Sequence, residues 1–267
     1  MPLTPAIRVL SVDLSIVHKA YLISRPQAAI VIMNCYDHRR DHLQCSLYTV
    51  SNDVITEILA RVASSSLPDL CSLRCANKLL HGLADDIYVF KHVSMERIPP
   101  IPWWPFSVDA LSFLQRCLQS HNPEALYRLG MIEFFNKVQF KAGVALLERA
   151  TSFSHDGATY VLGMILLCGE DEESRLHGID VLDELEEALH RRSRCGYKIS
   201  DCRKKCQRIL SSMWVKCSLR QQEHACENGC KRNSGRGWDA DDCNGFNCKS
   251  CKWDYELKLF RSLFTNS

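Results

Sequence analysis

The sequence has no long hydrophobic run. Its longest apolar stretch near the start, Ala28–Met33, falls far short of the roughly 18 residues that a spanning helix needs. No charged-then-apolar secretory leader precedes that stretch, so an intracellular protein, nuclear or cytoplasmic, is expected, with no membrane partner. Neither sign of charge dominates: 33 basic and 31 acidic residues leave a net charge of +2, which gives no global attraction to nucleic acid or anionic lipid. Also missing are a phosphate-cradling glycine loop, a nucleophile elbow and a His-Glu-x-x-His pattern. The 10 histidines are scattered, and Cys117 and Cys168 stand in apolar helical contexts, where burial makes a thiol inert. No catalytic residue is assigned, and no enzymatic activity of its own is expected.

What is present is an ordinary globular composition, 46% hydrophobic and 24% charged over 267 residues, enough for one large domain or two to three small ones. The 15 cysteines are an odd number and run from Cys35 to Cys251, which argues for reduced thiols rather than a disulfide scaffold. Most of them crowd the region after residue 190.

Residues 1–46 show no sustained period, and Pro2, Pro5 and Pro26 interrupt what pattern exists, so they are read as an irregular leader. In 47–95 the pattern turns helical. Val54, Ile55, Ile58, Leu59 and Val62 recur at helical spacing behind Ser51 and Asn52. A second helix is predicted from Ser66, with Asp69 at capping-box spacing and Pro68 in the first turn, running through Leu70, Leu73, Ala76 and Leu80 to Gly82. A third short helix, capped by Asp85 or Asp86, carries Val89 and Phe90. The prolines Pro99, Pro100, Pro102 and Pro105 then make 96–106 an extended connector, on which Trp103 and Trp104 are expected to pack against the next helical layer.

Over 107–219 an internal repeat emerges. Ala125, Leu129, Gly130, Met131 and Ile132 are echoed 33 residues on by Ala158, Leu162, Gly163, Met164 and Ile165. Gly143-Val144 and Leu146-Leu147 are echoed by Gly178-Ile179 and Val181-Leu182 at nearly the same spacing. Each unit reads as a helix–turn–helix pair of tetratricopeptide length, whose small residues let helices approach while Leu and Met fill the space between units. Flanking helices at 107–119 and 197–219 are expected to cap the stack. The basic run Arg191–Arg208 is read as solvated helix surface, with phosphate contact or a nuclear address as alternatives.

The tail, 220–267, places Cys226 and Cys230 as C-x3-C and Cys248 and Cys251 as C-x2-C. Two close cysteine pairs suit a tetrahedral zinc site, each pair spanning one edge of the metal. His224 or Cys243 could replace one ligand, and Cys202 with Cys206, four apart on a helix, offers a different pair. Zinc is the candidate cofactor, and the metal rather than an apolar core is expected to order 220–255. The other reading is that these are plain reduced cysteines.

The stretch Val50-Ser-Asn-Asp-Val-Ile-Thr-Glu-Ile-Leu59, followed by Val62, Leu67, Leu70, Leu73, Cys75, Lys78, Leu83, Asp86, Val89, Phe90 and His92, resembles an F-box. With the Pro/Trp connector, the two repeat units and the ending Cys-Lys-Ser-Cys-Lys-Trp-Asp-Tyr-Glu-Leu-Lys-Leu-Phe260, residues 50–262 resemble a group of plant F-box proteins. The resemblance implies an all-α chain: a three-helix F-box, a short tetratricopeptide-like array and a small Cys-rich tail. It also implies docking on a Skp adaptor, and through it a cullin, in a ubiquitin ligase, with the repeats presenting an unidentified protein substrate. An F-box engages its adaptor as helix in groove, and Val54, Ile55, Leu59 and Leu70 are the candidate Skp-binding anchors. Two alternatives stay open: a helical scaffold outside any ligase, and a zinc-bearing, basic nucleic-acid factor.

Overall fold

A computed structural model of the chain describes residues 50–100, 108–192, 198–217, 219 and 248–265. Every regular element among the described residues is helical. The leader 1–46 and Trp103 and Trp104 of the connector lie outside the described residues. The chain divides into two compact units, Met1–Ala125 and Leu126–Ser267.

The first unit contains α1 (Asn52–Ser65), α2 (Leu67–Ala76), α3 (Lys78–Leu83), α4 (Ile87–His92) and α5 (Val108–Gln119). Ser66 joins the first two. Its backbone N–H donates to Val62 O at 2.8 Å and closes α1, while its Oγ accepts from the Asp69 N–H at 3.3 Å and opens α2, satisfying a donor that has no partner inside the helix. The helix expected to run on to Gly82 breaks at Asn77, whose extended backbone ends α2. Its Oδ1 accepts from the Leu79 N–H at 2.7 Å and starts α3. Asp86 caps α4 in the same way through the Tyr88 N–H, at 2.7 Å. The region is thus four short helices where the apolar stripe alone suggests three, because Leu80 keeps the stripe going across the break.

Ile55, Leu59, Ala63, Leu70, Leu80, Ala84 and Val89 form the core of this bundle. Phe90, Met95, Cys117 and Ala125 form a second cluster, against which Phe113 packs. The Arg116 guanidinium lies 4.0 Å from the Phe90 ring centroid and donates to Asp85 Oδ1 at 3.1 Å. Buried Asn122 donates to the carbonyls of Phe90 and Val93 at 3.0 and 2.9 Å. Its Oδ1 accepts from the Glu124 and Ala125 N–H groups, each at 3.1 Å, and begins α6 (Pro123–Met131). These contacts place α5, assigned on sequence to the repeat array, in the first unit. The division between units falls within α6.

The second unit continues with a π-helical turn (Ile132–Asn136), α7 (Phe140–Ser152), α8 (Asp156–Leu167), α9 (Glu172–Arg192), α10 (Ile199–Leu210) and α11 (Lys249–Thr265). The repeat is visible in its glycines. A Cβ at Gly130 would lie 3.0 Å from Leu147 Cγ, and one at Gly163 would lie 2.5 Å from Leu182 Cγ. Equivalent glycines of the two units therefore admit equivalent leucines.

Residues 249–265, set within the Cys-rich tail on sequence, are a helix packed against α8, α9 and α10. Trp253, Leu257 and Phe260, spaced four and three apart, are buried and supply an apolar face of the usual helical kind. Of the span 220–255 expected to be ordered by metal, 220–247 lie outside the described residues, and 249–255 belong to α11, which brings apolar core residues of its own. Charged groups fix its register. Glu256 is buried and accepts from Arg203 Nε at 2.9 Å and from the Tyr160 hydroxyl at 2.7 Å. Arg175 makes a two-pronged pair with Asp254 at 2.9 and 3.1 Å. The Trp253 indole N–H donates to Asp183 at 2.8 Å, and Lys252 pairs with Glu186.

Candidate functional site

The helical period of α1 sorts its apolar residues onto two sides. Ile55 (3% exposed) and Leu59 (1%) face inward, and Leu70 of α2 joins them at 2%. Val54 (51%) and Ile58 (50%) face out. Of the four candidate anchors, the structure thus brings Ile55, Leu59 and Leu70 together as bundle core and leaves Val54 on the surface. Ile58, one turn after Val54, shares its face and was not singled out on sequence. It continues into an open cleft lined by Ile58, Arg61, Val62, Ser65 and Asp69.

Glu57 organises the polar border of this helix. Its carboxylate accepts from the Tyr88 hydroxyl at 2.7 Å and from Arg61 Nε at 2.9 Å. The Tyr88 bond, then Arg61, holds the Glu57 carboxyl below its ordinary range, and the same bond raises the Tyr88 phenol. Ile87 and Tyr88 are themselves exposed, so α4 adds apolar surface beside a fixed polar pair. The arrangement can bury side chains of a partner.

The cysteines separate into distinct groups. Cys226 and Cys230 lie outside the described residues, and Cys248 and Cys251 are partly buried at the head of α11. No group of three or more His, Cys, Asp or Glu placed to hold a metal occurs among the described residues. Cys202 and Cys206 are both in the core of α10, and burial pushes the Cys206 thiol up. Burial also raises Cys117 to about 12 and Cys168 to about 11, so neither is a thiolate at neutral pH. The basic run is partly consumed by pairing: Arg192 meets Asp156 at 2.6 Å and Arg203 meets Glu256. No helix among the described residues is long and apolar enough to cross a membrane.

Known proteins resemble the chain over part of its length. A family model described as plant tetratrico peptide repeats matches residues 96–211. A protein of Arabidopsis thaliana named as an F-box protein is 30% identical over 168 residues, 63% of this chain and 55% of that protein. A second Arabidopsis F-box protein is 30% identical over 125 residues, 46% of this chain and 33% of its own length. A third is 28% identical over 134 residues, 49% of this chain and 80% of its own length. The chain thus spans about half the length of the first relative and a third of the second. No solved structure matches it. Its homologues are plant F-box proteins, and it carries a plant tetratricopeptide-type repeat region.

Proposed function

We propose that the chain is a non-catalytic, intracellular F-box subunit that docks on a Skp adaptor, and through it a cullin, and presents a protein substrate from its second unit for ubiquitylation. The observation that carries this reading is the apolar pair Val54 and Ile58, half exposed on α1 directly above a closed core. A small bundle buries a modest share of its surface, and the uncovered stripe suits a partner's groove. Of the sequence candidates, Val54 remains a contact residue with Ile58 beside it. Ile55, Leu59 and Leu70 act by holding α1 and α2 in place.

The test is co-purification of the full chain with a plant Skp adaptor. Ile58→Asp should weaken capture about a hundredfold or more, because an unpaired carboxylate buried in a contact costs about 3–5 kcal/mol, while circular dichroism stays helical. Leu59→Asp should lose capture and bundle stability together. Failure of the wild-type chain to bind any Skp adaptor would leave the scaffold reading in its place.

Zinc at Cys226, Cys230, Cys248 and Cys251 remains a proposal resting on their spacing. Elemental analysis should find about one ion per chain, and chelation should leave amide protection of α11 intact, since Trp253 and Phe260 hold that helix. Metal-free purified protein would end the proposal.

A further inference from the structure

The second unit covers the helices α8, α9 and α10 with its own α11, yet it leaves apolar surface elsewhere. Its exposed large hydrophobic residues among those described are Val138, Phe140, Leu176 and Trp214. Three of these, Val138, Phe140 and Trp214, stand on or beside two segments that are hydrogen-bonded to each other. After α10 the chain crosses the π-helical turn. The Asn136 side-chain amide donates to Trp214 O at 2.7 Å, and the N–H groups of Lys216 and Cys217 donate to Phe135 O at 2.8 and 3.3 Å. These bonds fix the backbone on both sides of Trp214, whose side chain is nonetheless 78% exposed.

The turn beside it is built to an unusual geometry. Val138 has φ 60°, a left-handed conformation that a β-branched residue rarely adopts. It is held there by Lys137 N–H to Ile132 O at 3.0 Å and Gln139 N–H to Glu133 O at 2.8 Å. Phe140 is anchored edge-on to Phe134, with centroids 5.0 Å apart, and keeps part of its ring outside. A π-helical turn and a strained residue together often mark a functional position.

The charge around these side chains decides what they can meet. Lys137, Lys141 and Lys216 are all exposed. Lys137 pairs with Glu133 at 2.7 Å, whereas Lys141 and Lys216 have no ion-pair partner among the described residues. An aromatic anchor on a fixed backbone, flanked by surplus positive charge, favours an acidic ligand with an apolar side chain. Pre-ordering of the mount reduces what binding must immobilise.

We infer that the surface formed by Trp214, Val138 and Phe140 with Lys141 and Lys216 docks an acidic peptide segment of a partner protein through a bulky apolar side chain. The inference gives a chemistry to the substrate-presenting role proposed above and rests on that role for its biological meaning. The contact itself needs no Skp adaptor, so each idea can fail alone.

A displayed library of random peptides sorted on the full chain tests it. Selected peptides should be rich in Asp and Glu around a Leu, Ile, Phe or Trp, and their binding should weaken as salt rises. Trp214→Ala should lower affinity at least about tenfold, Trp214→Phe should retain most of it, and Lys141→Glu with Lys216→Glu should reverse the charge preference of a fresh selection. The exposed position of all three side chains makes loss of fold an unimportant route, and circular dichroism checks it. No enrichment, peptides without acidic bias, equal binding to Trp214→Ala, or displacement by a single-stranded RNA oligonucleotide bound at Trp214 would each overturn the inference.

Discussion

The two units solve the same problem, closing a helical core, with different chemistry. The first uses short helices, an aliphatic core of Ile, Leu, Ala and Val, and side-chain caps at each break. Its ion pairs, such as Arg61–Glu57 and Arg74–Asp85, stay at the surface, where such pairs contribute little. The second buries large aromatics and encloses charge: the fully buried Glu256 carboxylate meets a largely buried Arg203. A buried pair seldom raises stability over an apolar alternative, but losing one partner is severe, so it specifies register. The first unit leaves Val54 and Ile58 of α1 exposed, while the second covers α8–α10 with a helix of its own chain.

The largest expected effect breaks that closure. Glu256→Ala removes the carboxylate shared by Arg203 and Tyr160 and should destabilise the second unit by about 3–5 kcal/mol. Native-state hydrogen exchange should show α11 losing protection, with α8 and α10 following and α1–α4 unchanged. Unaltered protection of 249–265 would mean that the aromatic face alone holds α11, and the contrast between the units would shrink to composition.

Much of this architecture is legible in the sequence where one residue type has one physical job. Ser66 with Asp69 and Pro68 announces the start of α2, Asp86 that of α4, and the paired glycines Gly130 and Gly163 the repeat. Legibility fails where two explanations share one pattern. Val54, Ile55, Ile58 and Leu59 are all apolar, so period alone gives two faces without saying which one the bundle closes. Ile55 and Leu59 were expected at the partner and lie in the core. Leu80 carries the stripe across Asn77 and hides a helix boundary. In the tail, the cysteine spacing drew attention from Trp253, Leu257, Phe260 and Phe264, whose recurrence was the available signal for α11. The π-helical turn has no sequence signature in the apolar pattern at all, and Trp214 reads on sequence as one more residue of a capping helix.

An intermediate effect sharpens the comparison within the second unit. Gly163→Ala sets a methyl 2.5 Å from Leu182 Cγ and 2.7 Å from its Cδ2, closer than packed carbons approach, and should cost about 1–3 kcal/mol through overpacking. Gly130→Ala, with Leu147 Cγ at 3.0 Å, asks for a smaller shift and should cost less. Urea denaturation of the pair ranks them. Equal losses would show that the two repeat units are packed alike despite their different clearances.

The smallest effect belongs to the capped unit. Asn77 separates α2 from α3 with an extended backbone, φ −153° and ψ 141°, and its side chain accepts one N–H of the next helix. Asn77→Ala removes that acceptor while leaving the core of Leu70, Leu80 and Val89 in place, so the expected loss is about 1 kcal/mol. Alanine also favours helix at that position, which pulls α2 and α3 toward one continuous rod. Continuity would swing Leu80 out of the core, so the packing of Leu80 opposes it. Because Ile58 stands on α1, capture of a Skp adaptor by the variant should stay close to wild type even as the urea midpoint falls. A loss of capture larger than the loss of stability would show that the Asn77 break shapes the docking face, and that caps in the first unit do what Glu256 does in the second.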